Sequence, residues 1–127
     1  MKSVLAILLG TITFISLDLL WLGVIAKNFY QSHLGDLLAR PNWIAAGFFY
    51  VLYIAGIVFF VISPQLTASK LRVFLTGGLL GLLCYGTYDL TNLATLKGFP
   101  LQVAVVDMIW GFVITSIVSL VIFSFYK

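Results

Sequence analysis

Charge is what this sequence has least of. Of its 127 residues only 9% are Asp, Glu, Lys or Arg, whereas 62% are hydrophobic. A soluble domain carries roughly a quarter of its residues as charged side chains. Such a deficit, with a mean hydropathy of +1.16, excludes a water-facing enzyme and a nucleic-acid binder. The one cysteine, Cys84, sits in an apolar run, which excludes a disulfide framework and a cysteine-based metal centre. The one histidine, His33, leaves no His pair for a di-iron site, and within the apolar runs no Ser or Cys has a histidine beside it for acyl transfer.

What is present is long apolar runs. Crossing a hydrocarbon core of about 30 Å takes about 20 mainly apolar residues in a helix. Four stretches qualify, at about 3–26, 43–62, 71–95 and 101–126. Nothing is left over for a second domain. The expected fold is therefore all-α: a single integral membrane domain, a bundle of four transmembrane helices. Ser63, Pro64 and Gln65 break the chain after the second span. Lys97, Gly98, Phe99 and Pro100 form a tight hairpin before the fourth, so both hairpins join antiparallel neighbours.

Between the first two spans, Phe29, Tyr30, His33, Leu37 and Leu38 recur at helical spacing. This predicts a short amphipathic helix lying at the membrane interface within 27–42, with Asp36 and Arg40 as an i,i+4 pair on it. The N-terminal run is longer than a secretory signal and is interrupted by Asp18, which marks it as a retained helix. Lys2, Lys70, Arg72 and Lys127 lie on one side, against Lys27, Arg40 and Lys97 on the other. Four against three, with the terminal amine, favours cytoplasmic termini. The seven basic residues lie outside the spans or, as Arg72 does, at a span's very end, and form no patch for nucleic acid.

The four acids are all Asp, and three of them, Asp18, Asp89 and Asp107, fall inside spans. An Asp at a helix centre costs about 2.5 to 3.5 kcal/mol to insert, so such residues face a bundle interior or a wet cavity. Counted from the nearer helix ends at 1.5 Å per residue, all three lie roughly 9 to 12 Å below one surface, the one bearing the 27–42 segment and the Lys97 hairpin.

Their neighbours repeat a pattern. Asp18-Leu-Leu-Trp21 and Asp107-Met-Ile-Trp110 each set an indole one turn from a carboxyl, on the same helix face. Tyr85, Tyr88, Asp89 and Asn92 form a polar stripe on the third span, and Tyr50 and Tyr53 of the second lie at the same depth. No Lys, Arg or His at the depth of the acids balances them. Desolvation and mutual repulsion both disfavour ionised carboxyls, so at least one should hold a proton or a cation. The candidate binding residues are Asp18, Trp21, Tyr50, Tyr53, Tyr85, Tyr88, Asp89, Asn92, Asp107 and Trp110. Asp18, Asp89 and Asp107 are the candidate ligands for a divalent cation, the one cofactor this donor set suits.

Other features have plainer meanings. His33, alone on a surface segment, reads as solvated. Gly77 and Gly81, with Gly47 and Gly56 of the second span, read as close helix packing, within the chain or between two copies. Trp43, Phe99 and Tyr126 at span ends fit an interfacial aromatic belt. The acids themselves have a structural reading beside the functional one, as hydrogen-bonding groups that fix a unique packing.

The stretches SLDLLWLGV, FFYVLYIAGIVFFVISP, YGTYDLTNLATLKGFP and VVDMIWGF, in this order, resemble the bacterial membrane proteins grouped as domain of unknown function family 2177. The resemblance covers essentially the whole chain and is most specific from Tyr85 to Pro100. Phe99 departs from it, standing where Trp is expected. The resemblance implies a short four-span protein of the bacterial plasma membrane and carries over no activity. It does place Asp18, Trp21, Tyr88, Asp89, Asn92, Asp107 and Trp110 within the family's motifs.

Three functions fit the residues. The first is proton- or cation-coupled transport of a small or lipophilic solute, by one copy or a homodimer among membrane lipids. The second is metal-dependent catalysis on a lipid or isoprenoid, although any phosphate would have to be held by Lys27, Arg40 or Lys97 at the mouth. The third is an accessory membrane subunit whose polar layer specifies packing.

Overall fold

The described residues of a computed structural model are 2–38 and 40–126. Lys127, counted above among the charges at one end, lies outside them. The chain forms α1 (Lys2–Ile25), a short α2 (Lys27–Leu34), α3 (Trp43–Gln65), α4 (Lys70–Thr95) and α5 (Leu101–Tyr126). Among the described residues there is no β structure. The four longer helices are each long and apolar enough to cross a membrane. Their outward faces carry Leu8, Ile12, Ile44, Phe48, Leu52, Leu79 and Ile109, all exposed. Such faces suit hydrocarbon, which requires the backbone to bond within each helix but asks nothing polar of the side chains.

Local chemistry sets the boundaries. The Asn42 side chain accepts a hydrogen bond from the Ala45 N–H (3.1 Å) and starts α3, and Ser69 does the same for α4 through the Arg72 N–H (3.2 Å). Among the described residues, Gly35 (φ 40°) and Gly98 (φ 75°) are those with positive φ, where a side chain would be strained. Gly98 turns the chain from α4 into α5. Gly35 ends α2, so the expected longer amphipathic helix is cut to Lys27–Leu34, followed by a 3-10 turn at Gly35–Leu37. Asp36 and Arg40 consequently share no helix, and Leu37 and Leu38 are exposed while Tyr30 is buried.

Two spans are not regular along their length. α1 changes to a π turn at Trp21–Ile25, closed by the Ala26 N–H bonding to the Trp21 carbonyl at 2.7 Å. α3 changes to another at Val58–Ile62, then a 3-10 turn at Ser63–Gln65. Hydropathy carries no trace of either, since a π turn alters the rotation of the helix and not its polarity.

α5 is the central helix, packed most extensively against α4 and next against α1. The α4–α5 contact is made by small residues. A Cβ at Gly81 would collide with the Gly111 carbonyl and Thr115, one at Gly77 with Ser119, and one at Gly111 with the Tyr85 ring. The Ser116 hydroxyl donates to the Phe74 carbonyl across the same seam (2.9 Å). The Gly77–Gly81 element therefore packs within the chain. Gly47 and Gly56 pack against nothing within the chain: both face open space. Phe14, Ile57, Val61, Ile62, Val73, Ile114, Val118 and Ile122 fill the half of the bundle nearer the termini. The half nearer α2 is where Asp18, Asp89 and Asp107 lie.

Candidate functional site

The π turn of α1 and the short α2 together build one wall of the site. α2 folds back so that its buried Tyr30 reaches α5 and donates its hydroxyl hydrogen to Asp107 Oδ1 (2.9 Å). The Trp21 indole N–H donates in turn to the Tyr30 hydroxyl oxygen (3.2 Å). Burial, opposed by the Trp21 hydrogen bond and reinforced by the nearby Asp107 charge, pushes the Tyr30 phenol above its ordinary range, so it stays a donor. Tyr30 was legible only as part of an amphipathic face. The hydroxyl itself was the missed signal, since a buried phenol needs a partner.

A second set of bonds serves Asp18, which takes the Tyr50 hydroxyl on Oδ2 (3.1 Å) and the Trp110 indole N–H on Oδ1 (3.4 Å). The repeated Asp-x-x-Trp elements thus work crosswise. The α5 indole bonds the α1 carboxyl, and the α1 indole serves the α5 carboxyl through Tyr30. The two indoles stack face to face between them, 4.5 Å apart and 6° from parallel.

Asp89 has neither kind of support. It is completely buried on α4, and neither of its oxygens has a hydrogen-bond donor among the described residues. What lies within bonding reach is the Asp107 carboxyl. Two carboxyl groups face to face bond one another only through a shared proton, and without that proton they are a ligand pair for a cation. Asp89 and Asp107 both line a cavity of about 520 Å³ beneath α2, whose walls include Tyr30, Tyr88, Phe99 and Val103, with Lys27 and Gln31 above.

A second cavity, of about 280 Å³, lies beside the first and shares Leu22, Tyr88 and Asp107 with it. Asp18, Trp110, Phe49, Cys84 and Tyr85 complete its lining. Of the sequence-derived set, Asp18, Tyr85, Tyr88, Asp89, Asp107 and Trp110 line the two adjoining cavities, Trp21 and Tyr50 support the lining through hydrogen bonds to Tyr30 and Asp18, and two residues are displaced. Tyr53 turns away to pair its hydroxyl with Thr115 (2.6 Å) in the core. Asn92 lies beside the Tyr88 hydroxyl.

The three-carboxyl metal site does not assemble. Among the described residues no three His, Cys, Asp or Glu side chains converge on a point that would hold a metal ion. Asp18 is drawn off by Tyr50 and Trp110, which leaves a pair in place of a triad. Phe99 is also placed differently from the expected interfacial belt: it is buried, edge-on to Tyr88 (6.3 Å), as part of the cavity wall. Trp43 is exposed, as a belt residue should be. His33 stays on α2, its Nδ1 2.8 Å from the Phe29 carbonyl, outside the site.

The chain belongs to the family described as predicted membrane protein DUF2177, whose profile spans residues 3–124. No curated protein and no solved structure matches it. It is an integral membrane protein of four helices, and membership in the family assigns it no activity.

Proposed function

We propose that the protein is a proton-linked carrier for a small or lipophilic cation, and that the Asp89–Asp107 pair is the site where proton and cation exchange. The observation that carries this reading is Asp89: wholly buried, without a donor, facing a second carboxyl on the floor of a cavity. A residue kept only for packing would be expected to have its polar atoms satisfied. Asp18 and Tyr53 meet that description and Asp89 does not. Placing a cation between the carboxyls and releasing their proton balances the charge, and the rings of Tyr30, Tyr88 and Phe99 offer faces to an organic cation.

Carriage requires the site to open on its other side, where the apolar core now closes it. The glycine-packed α4–α5 pair is the stiff part of the bundle. α1 and α3, the two helices with π turns, are the parts that move against it. The charge balance of the loops favours cytoplasmic termini, and in a bacterial inner membrane that orientation would turn the larger cavity outward. The test is uptake of tetraphenylphosphonium into proteoliposomes driven by a pH gradient. Native protein should support it, and Asp89→Asn and Asp107→Asn should each reduce it to the protein-free rate. Uptake unchanged in both variants would refute the reading.

A further inference from the structure

The smaller cavity says something about the shape of the cation. α3 meets α4 mainly through its π turn at Val58–Ile62, and one level higher through the edge-on rings of Tyr53 and Tyr85 (6.2 Å). Above that level, on the side of the acids, the space between the two helices is the 280 Å³ cavity lined by Phe49 of α3 and by Cys84, Tyr85 and Tyr88 of α4. Phe49, Cys84 and Tyr88 are exposed on the bundle's outer surface, at a height where that surface meets hydrocarbon. At its inner end the cleft reaches Asp18 and Asp107, and Asp107 is also in the wall of the larger cavity with Asp89. An apolar cleft that opens toward lipid and ends at acids, with no basic residue in its lining, matches one chemistry: a cationic head on a hydrocarbon tail.

We infer that the α3–α4 cleft is a lateral entrance through which a single-chain amphiphilic cation passes from the bilayer, its tail held between Phe49 and Cys84 and its head at Asp107. This rests on the proton-linked reading above and adds the substrate class and the route. The charge is complementary: the head leaves the interface for a carboxyl, and the tail exchanges one apolar surrounding for another. Lys27 at the other mouth lies over the larger cavity and repels like charge, so a free cation entering there from water needs a higher concentration.

The experiment uses the full chain in nanodiscs, in weakly buffered solution with a pH indicator, titrated with dodecyltrimethylammonium or tetramethylammonium against protein-free discs. Native protein should release protons with either cation, and at a concentration at least about tenfold lower for the long-chain one, which the bilayer concentrates beside the cleft. Cys84→Trp fills the cleft mouth without touching the acids. It should weaken the long-chain response about tenfold or more and leave the tetramethylammonium response intact, which also shows that the variant is folded. An unchanged long-chain response in Cys84→Trp would overturn the lateral route while leaving the proton-linked site standing. Absence of proton release with both cations in native protein would remove the site itself, and the entrance with it.

Discussion

Three aspartates at one depth have three different fates, and the difference lies in their donors. Asp18 has two, Asp107 has Tyr30, and Asp89 has none. A buried polar group without a partner costs about 1 to 3 kcal/mol, so Asp89 is held against its own interest by the rest of the fold. Asp89→Asn adds an amide donor facing Asp107. It should raise thermal stability in detergent, by up to about 1 kcal/mol, while abolishing uptake. A lower melting temperature would indicate that Asp89 serves packing after all. Tyr30→Phe does the opposite: it leaves Asp107 and the Trp21 N–H without their partner and should cost about 1 to 3 kcal/mol, read as an earlier thermal transition. Loss of the Trp21 hydrogen bond should also shift the indole emission.

Among the elements, helix packing is set by where side chains are missing. Gly81 and Gly111 let the α4 and α5 backbones approach, and Gly47 and Gly56 look similar in sequence but meet nothing. Substitution should separate them. Gly81→Val forces its branch into the Gly111 carbonyl and should destabilise by about 3 kcal/mol or prevent folding. Gly47→Ala should be neutral or stabilise by up to about 1 kcal/mol, since Ala is the better helix former and the space is empty. Thermal unfolding of the two variants, side by side, checks both. The short α2 is an element with a task as well. It is too short to be stable alone and is held by Tyr30, so loosening it opens the larger cavity.

For the molecule as a whole, the arrangement has two unlike ends. The end near the termini holds the apolar core, with an apolar groove between α1 and α3 lined by Ile7, Val58 and Phe59, and the end near α2 holds the acids and both cavities adjoining them. In a Cys84→Ala background, single cysteines placed at Gln31 and Lys97 should react with an impermeant thiol reagent from the same side of sealed vesicles. One placed at Arg72 should react only from the other side. Labelling of Gln31 and Arg72 from one side would break the four-span arrangement.

Much of this was legible from residues alone. Hydropathy and length are properties of composition along the chain, so the four spans, the all-α class and the common depth of Asp18, Asp89 and Asp107 could be counted without coordinates. Membrane insertion enforces that legibility, because hydrocarbon penalises each polar residue wherever it falls. Tertiary structure alone decided what each acid faces, because that depends on helix rotation and on distant partners. The π turn at Trp21–Ile25 carries the chain into α2, and Tyr30 reaches Asp107 from there. Two hydrogen bonds take Asp18 out of a triad. Hydrogen bonds are directional where hydrophobicity is not, so the sequence could assign the acids a height, and only the folded bundle could assign them partners.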